Sequence, residues 1–361
     1  MKTRLKVTAA LAMLLAGAGI ASAQDGSEAA AKPAAAKSTA GWDKGFVITD
    51  SKGDFKLKVG ARVQARYALE SIEVPDADRE NHQAFSIPRG RLKLSGHAWS
   101  PQWSYLFQAD FGKGKTALKD FYIEYEAMPD ALILTFGQFK KPFSRQQMTS
   151  SGDLELVDRA TTDKAFNAGR DVGFMLHDGT AQAFEWAFAV MNGTGDANPH
   201  PDDFKPTAIV RLGYNHNGIK GYSEADLEGG PLRFSVGAGA NIDLNLTNDD
   251  QDQVVIANVD YMLKASGFSS TGGVYDNLDT EALGFHVQAG HVFAKMYQPV
   301  VRFAMLMPKD GDPTLVERKD ITGGFAIYLY GHKLKWQSDV TAVMLADTTD
   351  IEARSQLQLA F

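Results

Sequence analysis

From Phe55 to Glu70 apolar and polar residues alternate without a break. Phe55, Leu57, Val59, Ala61, Val63, Ala65, Tyr67 and Leu69 fall on one side. Lys56, Lys58, Gly60, Arg62, Gln64, Arg66, Ala68 and Glu70 fall on the other. A period of two sends successive side chains to opposite faces of a strand. The run exceeds the about 5–6 residues of an ordinary strand, and its polar face is charged along most of its length. Soluble sandwiches also alternate, but long strands with a continuous charged face suit a closed transmembrane barrel, apolar outside and polar inside.

The pattern recurs along the chain. Gly90, Leu92, Leu94, Gly96 and Ala98 oppose Arg89, Arg91, Lys93, Ser95 and His97. Further strands are expected near 103–111, 120–126, 132–139, 171–177, 183–191, 208–215, 232–244, 254–264 and 268–275. The last five fall near 283–293, 298–307, 321–330, 332–345 and 351–361. Some 320 residues at about 20 per strand and connection also give about 16 strands. Short turns at Ser100-Pro101, 128–130, 177–180, Ser266-Gly267 and Gly331 alternate with long polar connections at 71–85, 140–170, 192–206, 245–253 and 308–319. Short turns on one rim and long loops on the other are the outer-membrane arrangement. One connection breaks the rule, because residues 216–230 stand where a short turn is due.

The chain ends agree with export. Lys2, Arg4 and Lys6 precede an apolar stretch, Val7 to Ile20, and an Ala21-Ser22-Ala23 cleavage signal. Residues 1–23 read as a signal peptide, 24–44 as a flexible periplasmic leader and 45–361 as the barrel. The final strand places Ile351, Ala353, Ser355, Leu357, Leu359 and Phe361 on one face. An amphipathic strand closing on Phe361 resembles the signal read by the barrel assembly machinery. With no cysteine, thiol chemistry, disulfides and cysteine-ligated metals are excluded. A net charge of −7 argues against general nucleic-acid binding. The histidines show no metal-site spacing, so neither metal nor cofactor is expected. Gly112-Lys113-Gly114-Lys115-Thr116 ends like a phosphate-binding loop, but Ala109 stands where that motif needs glycine.

Two features bear on function. Lys56, Lys58, Arg62, Arg66, Arg89, Arg91 and Lys93 share the polar face of the first two strands. In a barrel that face is the lumen, and a strip of cations there would attract anions. The other reading is that lumenal carboxylates pair with them; Asp110, Asp120, Glu124, Glu126, Asp243 and Asp260 are available. The second feature is the long connection 140–170, with Lys140, Lys141, Arg145, Arg159, Lys164 and Arg170 beside Ser144, Thr149, Ser150 and Ser151. Loops of this length are usually functional. Folded inward it would narrow the pore with hydroxyls and cations; folded outward it would be an extracellular cover.

Several stretches resemble the phosphate-selective porin O/P family. They are Gly137-Gln138-Phe139-Lys140-Lys141-Pro142-Phe143-Ser144, Thr149-Ser150-Ser151, Asp158-Arg159 and Gly169-Arg170-Asp171-Val172-Gly173. Arg89-Gly90-Arg91-Leu92-Lys93-Leu94-Ser95-Gly96 is similar to the family's second strand. The resemblance implies a trimeric barrel of the Gram-negative outer membrane whose third extracellular loop turns inward. It implies phosphate or polyphosphate guided by Arg62, Arg89, Arg91 and Lys93 on the wall and by Lys140, Lys141 and Arg145 on the loop. With the strip and loop residues themselves, the candidate pathway is Lys58, Arg62, Arg66, Arg89, Arg91 and Lys93 on the wall. Lys140, Lys141, Arg145, Ser150, Ser151 and Arg170 complete it at the loop. The competing expectations are a general or weakly cation-preferring porin, a plugged structural barrel, and a barrel enzyme with catalytic residues at one rim.

Overall fold

The computed structural model describes residues 38–361 except 167–168, 181, 196–205, 245–253, 280–281 and 309–315. The expected signal peptide and most of the expected leader lie outside the described residues. A short hairpin comes first, β1 (Thr39–Trp42) and β2 (Phe46–Thr49), within and just beyond the stretch whose composition suggests a flexible leader. Its turn places Lys44 and Gly45 at positive φ.

The barrel follows. Its first half is β3 (Lys56–Ile72), β4 (Glu80–Ala98), β5 (Ser100–Asp110), β6 (Ala117–Met128), β7 (Leu132–Lys140), β8 (Arg170–His177), β9 (Phe184–Met191) and β10 (Thr207–His216). Its second half is β11 (Arg233–Asp243), β12 (Val255–Ala265), β13 (Phe268–Asn277), β14 (Ala282–His291), β15 (Tyr297–Met307), β16 (Arg318–Tyr328), β17 (Leu334–Met344) and β18 (Thr349–Ala360). Each strand pairs antiparallel with the next, and β18 returns to β3 from Ile351↔Ser71 to Ala360↔Arg62. The sheet is therefore a closed sixteen-stranded barrel, with the β1–β2 hairpin attached to β3 below the end of β18.

Alternation sorts the side chains. Val63, Phe136, Val259, Val301 and Val340 point outward and are exposed on the surface that lipid covers in such a barrel. Their neighbours Gln64, Thr135, Asp260, Arg302 and Asp339 point inward and are buried. Short turns close one rim, among them Ser266-Gly267, both at positive φ as a two-residue hairpin turn needs. In outer-membrane barrels the short-turn rim faces the periplasm.

Two connections leave the rims and enter the barrel. Residues 141–169, from the long-loop rim, carry α1 (Arg145–Met148) and α2 (Thr161–Ala165). Ser144 caps α1 by accepting from Gln147 N–H (3.2 Å) and donates to Asp163 (2.9 Å), joining the two helices. Phe143 and Phe166 of this loop pack with Phe139, Ile209, Tyr275 and Leu306 in an apolar core inside the lumen. Residues 217–232, from the short-turn rim, form the second insertion. Ala225 and Leu227 there pack on Val292, Ala326 and Tyr328.

Small wall residues make room for the upper loop. A Cβ on Gly239 of β11 would overlap the Phe143 carbonyl, and one on Gly324 of β16 would overlap the Leu156 side chain. Gly239→Val should therefore unseat the loop without breaking the sheet. Purified Gly239→Val protein should keep β-rich circular dichroism but unfold at lower temperature and conduct differently in bilayers.

Candidate functional site

The inward loop has no strand to satisfy its backbone, so side chains of the wall do it. Gln64 and Gln358 donate to the Ser151 and Gly152 carbonyls (3.4 and 3.0 Å). Lys335 donates to Leu154 O (2.6 Å), and Gln337 donates to the carbonyls of Leu154, Glu155 and Leu156 (3.0, 2.7 and 3.1 Å). Arg302 donates to Asp158 O (2.9 Å), and Val157 N–H donates to Asp339 (2.9 Å). Arg211 donates to Phe143 O (2.8 Å) and, with Arg145, clamps Asp260 from two sides.

Charge fixes the loop at a second point. Asp158 receives Arg66 in a two-pronged pair (2.8 and 3.1 Å) and Arg89 at 3.2 Å. Arg354 approaches to 3.6 Å. Fork-shaped guanidinium contacts of this kind are the strong class of charged hydrogen bond.

Most of the sequence candidates are thus engaged. Arg66 and Arg89 hold Asp158. Arg91 pairs with Asp110 (2.8 Å), Arg170 with Asp120 (2.9 Å), Lys141 with Asp171 (3.6 Å) and Arg145 with Asp260 (3.0 Å). Lys140 donates to three loop carbonyls, those of Gln147, Met148 and Thr149 (2.8, 2.9 and 3.1 Å). Ser150 and Ser151 each accept from Arg62 at 3.0 Å.

Four wall cations stand apart. Arg62 meets hydroxyls only, and its buried Nε has no hydrogen-bond partner among the described residues. Lys56 and Lys93 make no ion pair among the described residues, and Lys93 is exposed to the interior. Lys58 reaches only the solvent-exposed Asp43 at 3.8 Å. On the same side Glu124 accepts from Ser104 and Thr135 (3.1 and 3.2 Å), with His177 at 3.7 Å and the Lys93 ammonium within electrostatic reach. Below the loop a cavity of about 460 Å³ is lined by Asp120, Glu124, Lys140, Pro142, Met148 and His177 among others. The wall from β11 to β17 is instead packed shut by the two insertions.

The model of the family described as phosphate-selective porin O and P matches residues 57–215. The match covers 159 of the 361 residues. The match spans the first eight barrel strands and the whole inward loop, where the cations described above lie. An uncharacterized protein of Aquifex aeolicus is 23% identical over 351 residues, covering 79% of this chain and 81% of its own. Among solved structures, the barrel resembles the outer membrane channel DcaP of Acinetobacter baumannii with a TM-score of 0.59 at 12% identity, covering 86% of this chain and 99% of that one. It resembles an anion-selective porin from Comamonas acidovorans with a TM-score of 0.58 at 10% identity, covering 84% and 99%. At such identities the likeness is one of fold.

In this barrel the partners that sequence reading missed are acceptors and donors far away in the chain. Arg66 and Asp158 are 92 positions apart, and Gln64 and Gln358 are 294 apart. The available signal was the run of inward glutamines, Gln337, Gln356 and Gln358, on the last two strands.

The Asp158 anchor has a defined pH response. Burial opposes its ionisation, but Arg66, Arg89 and Arg354 overcome this and hold it below the usual carboxylate range. A depressed carboxyl contributes stability above its unfolded value and loses it only as pH falls through the folded one. The loop should therefore stay charged and seated through mild acid. Asp158→Asn leaves three guanidiniums without their anion. We expect a loss of about 3 kcal/mol, the lower end for breaking a buried pair. Thermal unfolding followed by heat-modifiable gel migration would measure it.

Proposed function

We propose that this chain is an outer-membrane porin that passes anions, with phosphate or polyphosphate the favoured solute. The observation that supports this reading is the imbalance left after pairing. Asp110, Asp120 and Asp158 are each occupied by arginine, whereas Lys56, Lys58, Arg62 and Lys93 have no buried carboxylate partner. A surplus of positive charge along the open wall raises the local concentration of anions. Arg62 and the Ser150 and Ser151 hydroxyls present donors and acceptors where the loop narrows the passage. Several weak cationic stations let an ion enter and still leave. The family match and the anion selectivity of the Comamonas protein agree with this reading. Assembly as a homotrimer in outer-membrane lipid, with Phe361 read by the barrel assembly machinery, belongs to the same proposal.

A second reading is favoured by the ion pairs themselves. Arg91 and Arg170 each pair with one carboxylate, Arg66 and Arg89 share Asp158, and Glu124 has no arginine or lysine ion pair among the described residues. Those facts suit a weakly selective general porin.

Reversal potentials across planar bilayers under a potassium chloride gradient separate the two. The anion porin should reverse on the chloride side, and added phosphate should reduce the chloride current. Replacing Arg62 or Lys93 by Ala should weaken phosphate block by about tenfold, the worth of one charged hydrogen bond. Arg91→Ala should do less, because Asp110 already holds that guanidinium. A reversal potential near zero or on the potassium side, unchanged in Arg62→Ala, would establish the general porin.

A further inference from the structure

The 217–232 connection is too long for a periplasmic turn, and it does not lie on the rim. It enters the barrel and touches the constriction loop from below. Arg145 Nη1 donates to Gly221 O (2.7 Å), and the Tyr222 ring lies under the guanidiniums of Arg145 and Arg211 (5.4 and 5.9 Å). Lys264 Nζ donates to the carbonyls of Ser223 and Lys220. Glu224 N–H donates to Asp153 O (3.0 Å), and Glu155 N–H donates to the Glu224 carboxylate (2.8 Å).

At this junction two carboxyl groups meet. Gln288 Nε2 donates to Glu155 Oε2 (2.7 Å) and also to Glu224 Oε2 (3.1 Å), so one amide nitrogen bridges both. The other donors to Glu155 are neutral as well: Ser269 Oγ, and Gln298 Nε2 at 2.6 Å. Both glutamates are buried, and neither has an ion pair among the described residues. The charged and titratable groups facing them are Asp153 beside Glu155 and Asp226 beside Glu224. Lys264 comes from β12, Arg302 from β15 and Tyr328 from β16. Lys335 comes from β17 and His332 from the turn before it. Lys335 spends its ammonium on Leu154 O and His332 Nδ1, and Lys264 spends its own on the 217–232 carbonyls.

We propose that residues 217–232 are a strap that sets the position of the constriction loop, and that protonation of Glu155 beside Glu224 keeps strap and loop together. This rests on the reading of residues 141–169 as the constriction of a porin. The contrast with Asp158, three positions along, supports it: three arginines hold that carboxylate charged, while only neutral groups hold Glu155. Burial, and then the neighbouring Glu224, push the Glu155 carboxyl up to about 7. A raised carboxyl is neutral and costs nothing below its unfolded value; its penalty grows as pH rises toward the folded one. The junction is therefore tight in mild acid and loosened by charge repulsion above neutrality. The Asp158 anchor keeps the rest of the loop in place.

Single-channel current noise in potassium chloride at pH 5.5 to 8.5 tests this in the full-length protein. Wild-type current should be quiet in acid and noisier in base, with a midpoint near 7. Glu155→Gln and Glu224→Gln keep the shape and each remove one acid, so both should stay quiet across the range. Asp158→Asn should be noisy at every pH. Wild-type noise that does not change with pH, or the same pH dependence in both glutamine variants, would overturn the proposal. The readout does not depend on which ion carries the current. A failed anion preference, read from reversal potentials, would therefore be distinguishable from a failed strap.

Discussion

A loop buried inside a barrel has no sheet ladder to join, yet its peptide groups must still be hydrogen-bonded. That requirement dictates much of the inner wall. Gln64, Gln337 and Gln358 are inward residues whose side chains serve peptide carbonyls of the 151–156 segment. Lys335 and Arg302 do the same with charged donors. A wall built for a wide water channel would have no use for such fixed donors. Their positions show that loop and wall form one unit. The glycines on β11 and β16 that admit the loop backbone and the Leu156 side chain belong to that unit too.

The same economy governs charge. A lumen of this size holds many arginines, and an unpaired one next to protein is costly. Most of them are spent on structure. Asp158 collects Arg66, Arg89 and Arg354, and Asp260 collects Arg145 and Arg211. On the anion-porin reading, permeation is left to the residues that structure does not claim. These, Lys56, Lys58, Arg62 and Lys93, lie on β3 and β4.

The strands were legible because period two is a local property. Lys56 to Ile72 reads correctly from its own residues, and so does the final strand. The inward course of residues 141–169 was one of two readings open to the sequence, and the resemblance favoured it. What escaped was pairing across the lumen. Whether Arg66 is a station for ions or a bracket for Asp158 depends on a contact between residues far apart, set by barrel register. The strap announced itself only as an anomaly of length at 216–230. Its burial could not be read, because Tyr222 and Ala225 sit in a segment without periodicity.

The hairpin at the periplasmic end has a consequence for assembly. On β3, the positions after Arg62 toward the periplasm are not free for β18: Val59, Lys58, Leu57 and Lys56 are already paired with Phe46 to Thr49 of β2. The Phe361 backbone is tied to Ala61 (2.9 and 3.0 Å) immediately above, and its ring meets Trp42 and Phe46. A sliding β18 would therefore run into β2. In a barrel a slip of one residue would turn every side chain inside out, and a slip of two would change the stagger of the whole cylinder. The first strands of the chain thus act as an end-stop for the last, and the closing seam can lock in one alignment only.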